Sequence, residues 1–90
     1  MKKFIVERDI EGLGNLNQEE LQAITRKSNE TLKSMNTEYH WVESYVTDNK
    51  MYCVHIAPDE ATVRDHARRG GFPVTRVMEV KTAINPTTTG

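Results

Sequence analysis

Three histidines, one cysteine and a glutamate set between aromatic residues are where this 90-residue chain could do chemistry. His66 sits beside Val63 and Ala67 on the apolar side of a predicted helix. An imidazole there acts as a metal ligand, as a general base, or as a hydrogen-bonded structural group, and the residues leave these readings open. Glu43 alternates with Trp41 and Tyr45. A carboxylate so placed is paired or has a raised pKa, unless it is solvated at the rim of a contact. His40 and His55 fall on opposite faces of a predicted hairpin. With His66 they make no recognised metal spacing, such as two histidines four apart on one helix. Cys53 reads as a small core residue, because nothing nearby marks an activated thiolate. Glu7, Arg8 and Asp9 read as a solvated charge run at a strand end. The Gly12 and Gly14 pair lacks the third glycine of a dinucleotide loop and reads as a turn.

The elements that must position these groups follow from periodicity. Residues 4–8 form a first strand. Asn17 followed by Glu20 resembles a capping box, and Leu21, Ile24, Ser28, Leu32 and Met35 then recur at helical steps. Residues 40–46 and 51–56 are two strands rich in aromatic and β-branched types, joined by Thr47-Asp48-Asn49-Lys50. Asp59 caps a second helix that ends at Gly70-Gly71. Residues 77–84 form a last strand, so residues 1–84 make one domain and 85–90 a polar tail. The order βαββαβ predicts a ferredoxin-like α+β fold, with two helices on one face of a four-stranded antiparallel sheet.

If Val46 opposes Met51, hairpin partners sum to a constant, and period 2 sorts the side chains. Trp41, Glu43, Tyr45, Tyr52, Val54 and Ile56 then share one face; Val42, Ser44, Val46, Met51, Cys53 and His55 share the other. The first set is expected on the helix-free side. It is too apolar to leave to water, so a second subunit or a ligand is expected to cover it. Trp41, Tyr45 and Tyr52 are therefore the expected pocket or dimer face.

Twelve basic and thirteen acidic residues leave a net charge of −1 and no electrostatic footprint for nucleic acid or an anionic membrane. The third strand, 51–56, has no glycine, arginine or lysine, which argues against an RNA recognition motif, and one cysteine cannot supply a Cys-x-x-Cys metallochaperone site. The lone cysteine fits a reducing cytoplasm, and no apolar run reaches signal-peptide or transmembrane length.

The runs Trp-Val-Glu-Ser-Tyr-Val, Tyr-Cys-Val and Ala-Pro-Asp-Glu between Trp41 and Glu60 resemble a small bacterial family of unknown function that includes nickel-binding proteins. Lys3-Phe4-Ile5-Val6, His66-Ala67-Arg68 with Gly70-Gly71, and Glu79-Val80 extend the likeness over nearly the whole chain. The resemblance implies a ferredoxin-like fold, a homodimer and a bound transition metal, nickel or another divalent ion. It implies metal ligands at His40 and His66, whereas Arg8 and Phe72 stand near further family histidines. Glu43 or a group from a second chain would then complete the set. The other expectation is a small-molecule cavity on the helix-free sheet face, with His66 or Glu43 in proton transfer.

Overall fold

The computed structural model describes residues 1–90. Strands β1 (Lys2–Asp9), β2 (His40–Val46), β3 (Lys50–Ala57) and β4 (Arg76–Glu79) and helices α1 (Gln18–Ser34) and α2 (Glu60–Gly70) follow one another in the order β1-α1-β2-β3-α2-β4. The strands form one antiparallel sheet in the order β2-β3-β1-β4, so the ferredoxin-like α+β arrangement is present.

Local chemistry explains the boundaries. At α1, the Asn17 side chain accepts from the Glu20 N–H while the Glu20 carboxylate accepts from the Asn17 N–H, a reciprocal capping box. The Asp59 carboxylate caps α2 through the Thr62 N–H, and Gly71 closes it at φ +70, a left-handed conformation that suits glycine. The last strand is shorter than periodicity predicts. β4 ends at Glu79, opposite Phe4, and only the Val80 N–H reaches on to the Lys3 carbonyl. Past that point only Lys2 of β1 remains for β4 to pair with.

Phe4, Val6, Met51, Cys53 and Ala57 point inward from β1 and β3 and pack with Leu13 and with Val63 of α2 into the buried core. The hairpin register follows the expected constant sum from Glu43↔Val54 to Val46↔Met51 and then shifts. A β-bulge at Val42 pairs Trp41 with His55 and His40 with Ile56. The extra residue moves Trp41 from the expected helix-free face to the helix side, because one residue of slip exchanges the two faces of a strand. Tyr45 and Tyr52 stay directly opposed on the helix-free face, as the period requires.

Candidate functional site

Period 2 puts Arg8 on the inward side of β1 with Phe4 and Val6, and puts His55 inward on β3 with Met51 and Cys53. Arg8 is 3% exposed. Its Nη1 donates to the Pro73 carbonyl at 2.7 Å and its Nε donates to Cys53 Sγ at 3.4 Å. Every ion pair in the chain involves other cations. The guanidinium is therefore a buried charge without a carboxylate.

Beside it four rings meet. His55 and His66 are 5.5 Å apart between centroids, Tyr39 lies 5.2 Å from His55 and 5.3 Å from His66, and Phe72 lies 5.4 Å from His66. Gly70 makes room for this, since a Cβ there would come within 2.2 Å of the Phe72 ring. His66 Nε2 and Ser28 Oγ are 3.3 Å apart, a hydrogen bond whose direction depends on the tautomer. Both nitrogens of His55, Nδ1 of His66 and the Tyr39 hydroxyl are buried without partners. Burial pushes the His55 pKa down to about 3, helped by His66 and by the Arg8 charge. Burial also lowers His66, again with Arg8 contributing. Both imidazoles are held neutral. Burial raises the Tyr39 phenol, which keeps its proton.

Arg8, His55, His66 and Phe72 border a chamber of about 360 Å³ between α1, the β2–β3 hairpin and the loop after α2, within the range of small-ligand sites, and Tyr39 packs behind the two imidazoles. Ile24, Met51 and Phe72 supply apolar wall, and Ser28, Ser44 and Thr25 supply hydroxyls. Trp41, turned inward by the bulge, donates from Nε1 to Ser44 Oγ at 2.9 Å and forms part of the lining. The cavity thus lies on the helix side of the sheet, not on the helix-free side as the hairpin pattern suggested. The bulge adds Trp41 to a wall whose other hairpin members, Ser44, Val46, Met51, Cys53 and His55, already face the helices.

A family model described as "Nickel responsive protein SCO4226-like" matches residues 4–80. The chain belongs to that family. The crystal structure of SCO4226 from Streptomyces coelicolor A3(2) superposes with a TM-score of 0.71, covering 91% of this chain and 99% of that one at 20% identity. At that identity the likeness speaks for the fold alone. No curated protein matches the sequence.

In this member of the SCO4226-like family, the residues expected to act together are divided. His66 is buried behind the sheet. His40 is exposed, with Nε2 3.9 Å from Glu38, and Glu43 is exposed and accepts a hydrogen bond from the Tyr45 hydroxyl. Both belong to the helix-free face. No three His, Cys, Asp or Glu side chains converge, and the one histidine pair, His55 and His66, adjoins the fixed positive charge of Arg8, which opposes a divalent cation. The donors of a single chain do not fit a transition-metal centre. Nor does the Ser28–His66 pair form an activated nucleophile, because His66 Nδ1 has no carboxylate to orient it.

Sequence reasoning missed Tyr39 and Lys27, and it named Arg8 and Phe72 only as positions near further family histidines. Arg8 carried a second signal: it falls on the inward period of β1, two residues after Val6.

Proposed function

We propose that this protein binds a small organic molecule in the chamber between α1 and the sheet. The observation that carries the reading is the chamber itself. A mostly apolar, half-open space of about 360 Å³, backed by the buried side chains of Arg8, His55 and His66, has the size and character of a small-ligand site.

Trp41, the sole tryptophan, lines the chamber and reports on occupancy. Titration with octanoate and with 1-octanol, followed by Trp41 emission, is expected to give saturable binding of at least one probe. Thr25→Phe, which fills the chamber from α1, should weaken it more than tenfold. No response from either probe up to millimolar concentration, or binding indifferent to Thr25→Phe, refutes the reading.

A second reading is favoured by the family description, which calls its members nickel responsive. Metal binding in this chain would need donors from a second copy. His40, Glu38 and Glu43 belong to the exposed edge of the helix-free sheet, whose centre carries Ile5, Tyr52, Val54 and Ile56. A homodimer over that face would cover the apolar patch and bring in the missing ligands. Sedimentation with and without nickel tests both parts: a monomer unaffected by nickel, with no calorimetric heat, removes this reading.

A further inference from the structure

Building on the chamber as the ligand site, we infer that its ligand is an organic carboxylate, bound through the guanidinium of Arg8 with the Lys27 ammonium beside it. The sixteen residues that line the chamber include Arg8 and Lys27 but no Asp or Glu. That is a pronounced bias in a chain with thirteen acidic residues. The two cations flank one ring, the Arg8 Cζ and the Lys27 Nζ each lying 5.6 Å from the Phe72 centroid. Neither has an acidic partner.

A guanidinium carries five N–H donors. Arg8 directs one to the Pro73 carbonyl and one to the Cys53 sulfur, the latter a weak acceptor, and Nη2 makes no hydrogen bond while not being sealed from solvent. Removing a cation from water without a counter-ion is costly, and a carboxylate entering the chamber removes that cost while using the fork of donors in a bidentate pair. The bonds to Pro73 and Cys53 hold the fork in place beforehand, so little ordering remains for the moment of binding.

The remaining walls select the rest of the ligand. Ile10, Leu21, Ile24, Val46 and Met51 favour an apolar body over a second charge or a sugar. Inorganic phosphate or sulfate would satisfy Arg8 but leave that surface uncovered. The neutral imidazoles of His55 and His66 add no charge to compete with Arg8.

The test compares octanoate with 1-octanol, equal in chain length and differing in charge, on the full-length protein. Octanoate is expected to bind at least tenfold more tightly. In Arg8→Gln that preference should vanish while 1-octanol affinity is retained, and in Lys27→Gln it should fall two- to threefold. Lys27 is exposed, so its variant keeps the comparison available if Arg8→Gln does not fold. The carboxyl carbon of ¹³C-labelled octanoate should shift on binding to the wild type. Equal affinity for the two probes overturns the carboxylate assignment yet leaves the chamber as a binding site; binding of neither overturns both. Inorganic phosphate displacing octanoate at equal concentration overturns the apolar-bodied acid and leaves a bare anion site.

Discussion

Ser28 on α1 and His66 on α2 meet at 3.3 Å in the interior, and this is the polar contact that joins the two helices behind the sheet. Ser28→Ala leaves both His66 nitrogens without a partner in a buried site, which should cost about 1–3 kcal/mol. Combining Ser28→Ala with His66→Phe should cost less than the sum of the single changes, with a coupling of roughly 0.5–1.5 kcal/mol. Urea denaturation of the four proteins measures it; strict additivity would show that the bond contributes nothing.

Acid should destabilise the fold before its carboxylates titrate. His55 has its pKa lowered from 6.5 to about 3 in the folded state. Between those values the unfolded chain binds the proton and the native one does not. Stability is therefore greatest above 6.5 and is lost as pH falls towards 3, by up to about 1.4 kcal/mol per pH unit. His66, also lowered, contributes with the same sign. Asp9, Asp59 and Asp65 are held below the ordinary 3.8 by their hydrogen bonds to Lys50, Thr62 and Arg68, so their contribution is lost only at lower pH. Denaturation midpoints in His55→Phe should vary less across about pH 4.5–6.5 than in the wild type. A parallel pH dependence would disprove the assignment.

Gly70 is required by Phe72. An added methyl would lie 2.2 Å from Phe72 Cε2, so Gly70→Ala must displace the ring from His66 and should cost about 1–3 kcal/mol. In a Phe72→Ala background the same change should be neutral or stabilise by up to about 1 kcal/mol, because alanine is the better helix former. Thermal denaturation of the pair decides it, and an equal penalty in both backgrounds would point away from Phe72.

The bulge at Val42 makes a prediction of its own. Deleting Val42 regularises the ladder and leaves Trp41 opposite His55, so tryptophan emission should stay at its native wavelength. A red shift to solvent-exposed emission would mean that Trp41 is held by something other than register.

Much of the architecture was legible along the chain. Asn17 with Glu20, Asp59, and Gly70-Gly71 mark helix ends through contacts made within a few residues, and such contacts form wherever the segment sits. The alternation in the two hairpin strands likewise set the faces of Tyr45, Tyr52, Cys53 and His55, because period 2 is a property of the strand itself. The site was less legible. Arg8 looked like part of a charge run, although its step from Phe4 and Val6 pointed inward; its environment comes from Cys53 and Pro73, 45 and 65 residues away. A single extra residue at Val42 reversed the face of Trp41 and brought it into the lining of the cavity. His66 was recognised from its helix, but its separation from His40 and Glu43 by the sheet, and its meeting with His55, Tyr39 and Phe72, depend on how strands and helices stack. The sequence by itself determined the elements, their order and their inward faces, since these arise from local conformation and periodic burial. Only the tertiary structure decided which charges and rings share a space, because that is set by register and long-range packing.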